Sequence, residues 1–215
     1  NIAFRAAEAI LSNVSCHSGV EITIKKKIPV AAGLGGGSSN AATTLVALNE
    51  MTGMTYSTDE LMQIGAGLGA DVPFFVFGKT ALASGIGDCL KSVFHIPKLW
   101  FVLVNPDFEI STRDIYGNIR LGLTKEPIKY RMRRFITMSH VVEGLCNDLE
   151  KVSLQLYPVL LDIKQLLMAN GALGSLMSGS GPTIFGIFGD EADAKRAECS
   201  LEEAQIGSVF RVCSI

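Results

Sequence analysis

The chain opens on a helical period. Ile2, Ala6, Ala9 and Ile10 fall on one side of residues 1–12 and polar positions occupy the other, which predicts an amphipathic helix. From Val20 the period shortens to two. Val20, Ile22 and Ile24 alternate with Glu21, Thr23 and Lys25, the pattern of a half-exposed strand over residues 20–28 that Pro29 ends. A stretch rich in Gly and Ser occupies residues 33–40, after which Ala41, Leu45 and Leu48 restore the helical period with Ala42 and Val46 beside them. Ser57 or Thr58 is placed to cap a further helix that buries Leu61, Ile64 and Leu68. Gly69, Ala70, Asp71, Val72 and Pro73 read as a loop. The short apolar runs 72–77 and 99–104 have the length of buried strands, and another strand is expected near residues 80–84.

Beyond the strand at 99–104, helical patterns cover residues 112–121, 131–143 and 154–168. Strands are expected over 173–177 and 183–188, joined by Ser178, Gly179, Ser180, Gly181 and Pro182. A charged helix over 191–204 and a strand over 209–213 close the chain. Strand, helices, strand, strand, helix, strand is the order of a split β-α-β sandwich with ferredoxin-like topology, so the fold class is α+β with a boundary near residue 92.

Composition narrows the partners. With 48% hydrophobic and 19% charged residues, the 215-residue chain has material for a core and too little charge to stay unfolded. A net charge of -2 gives no basis for a nucleic-acid partner, and the basic runs at residues 25–27 and 131–134 read as solvated faces. No apolar run approaches the roughly 20 residues that span a bilayer, so no membrane partner is expected. Cys16, Cys89, Cys146, Cys199 and Cys213 are odd in number and form no C-x-x-C pair, which disfavours a zinc site or a disulfide framework and fits a reducing cytoplasm. His17, His95 and His140 lack metal-ligand spacing, so no metal-binding residue is assigned.

The chemistry concentrates in the Gly-Ser stretch. The first N–H groups of a helix lack intrahelical acceptors and carry partial positive charge, glycines let backbone approach an anion, and serine hydroxyls add donors. The product is a phosphate cradle without a basic side chain. It is neither a Walker A loop nor a G-x-G-x-x-G turn, because Ser38 stands where those motifs need Lys or Gly. A flexible loop with an ordinary helix cap is the other reading; the two serines and Asn40 at the helix entry weigh toward phosphate. Asp71 stands among Leu68, Val72, Phe74 and Phe75, where a carboxylate must find a partner. It reads either as a general base or as a turn Asp before proline. The 178–182 segment reads as a tight turn or as a second phosphate-proximal loop.

Three segments together resemble the GHMP small-molecule kinases: residues 29–39, residues 69–73, and Ser178 through Thr183. The segment Asn147, Asp148, Leu149, Glu150 belongs to the same resemblance. The resemblance implies a GHMP kinase fold, with a partial S5-like α/β ATP-binding domain over residues 1–92 and a ferredoxin-like C-terminal domain over residues 93–215. It implies that Pro29, Val30, Ala31, Ala32, Gly33, Leu34, Gly35, Gly36, Gly37, Ser38, Ser39 and Asn40 hold ATP, with Mg²⁺, and that Asp71 is the catalytic base. It further implies a small-molecule acceptor, the 2-hydroxyl of a cytidine diphosphate-linked methylerythritol in non-mevalonate isoprenoid synthesis, with Tyr116 packed on the cytosine and Thr112 close by. Homoserine, mevalonate or sugar kinases share the loop, so discrimination is expected to rest on residues 105–116 and 147–150; a non-catalytic nucleotide-binding module is the remaining alternative. The family also carries a Lys on an early strand and a Tyr-His pair near the cytidine, with no counterpart in these 215 residues. The chain by itself, which starts at a helix without Met, is therefore expected to be inactive or severely impaired.

Overall fold

The computed structural model describes residues 1–12, 19–85, 87, 89–118 and 137–214. The expected basic run at 131–134, Cys16, His17 and the ends of two expected helices (119–121 and 131–136) lie outside the described residues. The chain divides into two compact units. One comprises residues 1–28 and 35–94, the other residues 29–34 and 95–215.

The first unit is mostly helical. Asn1 caps α1 (Ile2–Leu11) by accepting from the Ala3 N–H, and Ala3, Ala6, Ala7 and Ile10 form its buried stripe. That stripe meets Ala41, Ala42, Leu45 and Leu48 of α2 (Gly36–Met51), and the small residues let the two backbones approach closely. α3 (Thr58–Ala66) begins with a capping box in which the Ser57 hydroxyl accepts from the Glu60 N–H while Glu60 accepts from the Ser57 N–H at 2.7 Å.

Residues 72–77 are a helix, α4 (Val72–Phe77), and not the strand their apolarity suggests. Pro73 sits in its first turn and Gly78 closes it at φ 63, which is helix punctuation that outweighs a six-residue run too short to show a period. Val72 and Val76 join the same core. A hairpin of β1 (Ala81–Ser84) and β2 (Cys89–Ser92) follows. Residues 20–28, expected as a strand, join no ladder. Alternation sets which side chains face out, but a strand also needs a neighbour to take its N–H and C=O groups.

The second unit is a four-stranded antiparallel sheet ordered β4 (Gly174–Met177), β5 (Ile184–Phe188), β3 (Trp100–Asn105), β6 (Ser208–Cys213). With β3 in the middle and the β4–β5 hairpin between helices, this is the ferredoxin-like order expected from the sequence. Val102, Val104, Ile184 and Phe188 pack against Leu160, Ile163 and Leu167 of α8 (Val159–Ala169) and Ala194, Ala197 and Leu201 of α9 (Glu191–Glu203). Before α8 come α5 (Thr112–Asn118), α6 (Met138–Glu143) and α7 (Asp148–Leu156). The helix expected over 154–168 is thus split: α7 ends at Leu156, and Pro158, which lacks an N–H to continue the ladder, starts α8. Among the described residues no helix is long and apolar enough to cross a membrane.

Candidate functional site

The Gly-Ser stretch lies at the start of α2. Gly35 occupies the cap position at φ 63 and contributes no side chain, so the N–H groups of Gly36, Gly37 and Ser38 have no acceptor; the first helical bond runs from Ser39 N–H to Gly35 C=O at 2.9 Å. The Ser38 and Ser39 hydroxyls make no hydrogen bond with any described residue. A sixteen-residue helix therefore presents three free donors and its positive dipole end at one place.

The backbone leading into it alternates in sign. Ala31 (φ 52), Gly33 (φ 71) and Gly35 (φ 63) are left-handed, with Ala32 and Leu34 between them at negative φ. Such alternation turns successive N–H groups toward one side and makes an anion-sized concavity. Ala31 holds this conformation with a Cβ, at a cost of roughly 1–2 kcal/mol that an unconstrained loop would relax.

Two glycines in this stretch are required by contact as well as by φ. A Cβ on Gly35 would stand 2.7 Å from the ring of Phe75 on α4, within the first unit. A Cβ on Gly33 would run into the Ser178 carbonyl oxygen and approach Gly181 O at 3.0 Å, within the second unit. Gly33 is held there by its own carbonyl, which accepts the Ser178 hydroxyl at 2.9 Å.

The 178–182 turn is itself pinned. Its N–H at Ser178 donates to Thr183 C=O at 2.9 Å, and that at Gly181 donates to Ser178 C=O at 2.9 Å. The Gly181–Pro182 bond is cis. The Ser180 and Thr112 hydroxyls share a hydrogen bond of 2.9 Å. Thr112 opens α5, whose buried residue is Ile115. Tyr116, next along, is 61% exposed, so its ring is not spent on the core.

Asp71 departs from its expected surroundings. It stands at the cap position of α4 and is exposed; Val72 and Pro73 are the buried members of that run. Its carboxylate makes no cap bond and accepts no hydrogen bond from a described residue. The helix turns the chain's apolar side chains inward and leaves its leading carboxylate in water, a separation that a strand would not have produced. Asp71 precedes Phe75 by one turn, about 6 Å along the axis, and Phe75 is the residue against which Gly35 packs. The free carboxylate and the free N–H groups of α2 are thus on neighbouring elements of the first unit.

The structure also separates the 147–150 segment from the role expected of it. The Asn147 amide and the Glu150 carboxylate are turned onto the backbone of residues 177–179, not outward to a substrate. Sequence reasoning saw this segment without its task. The signal available was an Asn directly before Asp148, Leu149 and Glu150, which is a helix cap with a carboxylate one turn in. Among the described residues no group of three His, Cys, Asp or Glu side chains is arranged to hold a metal ion.

Comparison with known proteins places this geometry in a family. The model of the GHMP kinases N terminal domain matches residues 1–79, and that of the GHMP kinases C terminal region matches residues 131–206. A 4-diphosphocytidyl-2-C-methyl-D-erythritol kinase of Syntrophus aciditrophicus is 58% identical over all 215 residues, which cover 77% of the relative. One from Geobacter sp. strain M21 is 49% identical over 205 residues, covering 95% of this chain and 73% of the relative. The crystal structure of a 4-(cytidine 5'-diphospho)-2C-methyl-D-erythritol kinase superposes with a TM-score of 0.83 at 33% identity, over 99% of this chain and 77% of that one. An anion-binding helix mouth on a GHMP frame, in a chain this similar to those enzymes, is that of an ATP-dependent small-molecule kinase, and the chain belongs to the 4-diphosphocytidyl-2-C-methyl-D-erythritol kinase family of GHMP kinases.

Proposed function

We propose that the protein transfers the γ-phosphoryl group of ATP to the 2-hydroxyl of 4-diphosphocytidyl-2-C-methyl-D-erythritol. The observation that carries this reading is the set of acceptor-less N–H groups at Gly36, Gly37 and Ser38, preceded by left-handed residues 31, 33 and 35. Pro29 through Asn40 hold the nucleotide's phosphates, their N–H groups meeting charge that builds on the transferring group. Asp71, free and ionisable, accepts the proton of the substrate hydroxyl as its oxygen bonds to the γ-phosphorus and the bond to the ADP oxygen breaks. Tyr116 offers an exposed ring on which a cytosine can stack, and Thr112 supplies a hydroxyl four residues earlier on α5.

Mg²⁺ fits this arrangement as an ion shared with the nucleotide. Such ions need only one or two protein oxygens beside the phosphates, and the unbonded Ser38 and Ser39 hydroxyls lie at the helix mouth. Bound there, Mg²⁺ would neutralise charge on the phosphate oxygens. The N-terminal region, residues 1–92, serves the nucleotide, and residues 93–215 serve the cytidine. The setting is a reducing cytoplasm, in keeping with free, exposed Cys89, Cys146, Cys199 and Cys213.

Coupled ADP detection with the cytidyl substrate, homoserine and mevalonate decides the acceptor. It is run on the 215-residue chain and on a form extended upstream of Asn1. Turnover confined to the cytidyl substrate is expected, in the extended form. Turnover with homoserine or mevalonate instead would discard the acceptor assignment, and nucleotide binding without turnover on any of the three would leave a binding module.

A further inference from the structure

β4 is an edge strand, hydrogen-bonded to β5 on one side only. On its open side the first turn of α7 takes the place of a neighbouring strand. Glu150 Oε1 accepts the Met177 N–H at 2.9 Å, and Asn147 Nδ2 donates to the carbonyls of Met177 and Gly179, each at 2.8 Å. Two side chains thus read both backbone groups of the last strand residue and one carbonyl of the turn beyond it. Neither is idle elsewhere. Asn147 Oδ1 caps α7 through the Leu149 N–H at 3.0 Å, and Glu150 Oε2 is held by Lys164 Nζ at 2.7 Å. Glu150 is 9% exposed, a depth at which an ionised carboxylate needs this pairing. From the end of β3, Asn105 donates to the buried Thr183 hydroxyl at 2.8 Å and fixes the turn's exit.

What the clamped turn delivers is one contact. Ser178, the residue after Met177, donates its hydroxyl to Gly33 C=O. Residues 29–34 have no polar side chain of their own with which to hold a left-handed backbone. We propose that Asn147 and Glu150, the latter oriented by Lys164, are positioning residues for nucleotide binding. They hold the 178–182 turn so that Ser178 keeps Gly33, and with it the concavity of residues 31–35, in shape. This rests on the reading of residues 29–40 as the phosphate loop.

Asn147→Ser and Asn147→Asp separate this role from helix capping. Both keep a capping oxygen for α7, while Ser lacks the amide donors and Asp turns a carboxylate toward two carbonyl oxygens. Asn147→Ser is expected to raise amide exchange across residues 29–34 about tenfold and to weaken ATP binding about tenfold, the scale of one lost hydrogen bond. KM for the acceptor should stay unchanged. Asn147→Asp should do more of both. A cap alone predicts wild-type exchange and wild-type ATP affinity in either variant. Unchanged exchange at 29–34 overturns the proposal, and so does raised exchange with unchanged affinity. If the unsubstituted protein binds no nucleotide, the phosphate reading fails, and the clamp then stands or falls on exchange alone.

Discussion

A methyl group on Gly33 isolates the close approach of two backbones. The residue is at φ 71, where an L side chain costs roughly 1–2 kcal/mol. The new Cβ would also meet the Ser178 carbonyl, with Gly181 O and N at 3.0 and 3.1 Å. These are backbone atoms of a pinned turn and cannot rotate aside, so an overpacking cost of about 1–3 kcal/mol is added. The total, roughly 2–4 kcal/mol, can be relieved by displacing residues 29–34 without unfolding either core. Most of it should therefore appear as lost nucleotide affinity, about 30- to 1000-fold in the ATP Kd by calorimetry, with only a small fall in Tm. Gly53→Ala is the matched control. Gly53 is at φ 67 with nothing within 4 Å of the added Cβ, so it carries the conformational cost without the contact. Gly33→Ala binding ATP as tightly as Gly53→Ala would refute the contact argument, and a cooperative collapse of Tm in Gly33→Ala alone would show that the loop cannot move separately.

Asp71→Ala should lower kcat by about 100-fold or more while the ATP Kd holds, because the carboxylate supports no described contact in the fold. If kcat hardly moves, Asp71 is a turn residue. Tyr116→Ala should raise KM for a cytidyl substrate about 5- to 100-fold with no change in Tm, given a ring that is 61% exposed, and Tyr116→Phe should restore KM; loss in the Phe variant would point to the hydroxyl and not to stacking. The Glu60 carboxyl is held below its ordinary 4.5 by the Ser57 N–H and then by the Ser57 hydroxyl, so its contribution is present above about pH 4.5 and is lost as pH falls through the lower folded value. Ser57→Ala should cost about 1 kcal/mol near neutral pH, and melting curves of the two proteins should converge in acid; a gap that persists at low pH would show that Glu60 takes no part.

The sequence was most legible where period and punctuation agreed. The order of strands and helices from Trp100 onward predicted the ferredoxin-like sheet, because buried strands and amphipathic helices of ordinary length leave few topologies open. The capping box at Ser57 and Glu60 was equally plain. The run 72–77 misled because an apolar segment of six residues has no readable period, although Pro73 and Gly78 marked its ends correctly. That one error also hid the environment of Asp71: in a strand it would have alternated into apolar neighbours, whereas at a helix start it faces water. Residues 20–28 misled for the opposite reason, since their alternation is real but pairing is a property of two segments. The clamp on the 178–182 turn was not legible at all. Its contacts join residues 27 to 145 positions apart, and no local pattern encodes them.

A phosphate site made of N–H groups has a physical consequence for where its dependence lies. Charge-based sites tolerate small displacements, since a lysine follows its ligand, whereas donors fixed in backbone act only in the shape that aims them. In residues 29–34 that shape includes a left-handed alanine and a glycine pressed against another chain segment, neither of which a free loop would keep. The restraint has to come from polar side chains elsewhere, and in the second unit it does: Ser178 grips the loop, Asn105 and Thr183 fix the turn's exit, and Asn147 and Glu150 fix its entry. Polar residues at 147–150 therefore bear on the nucleotide through the loop they shape. It follows that changes there should move ATP affinity before acceptor choice, while acceptor choice should follow Tyr116 and its neighbours on α5, whose exposed faces carry no such restraint.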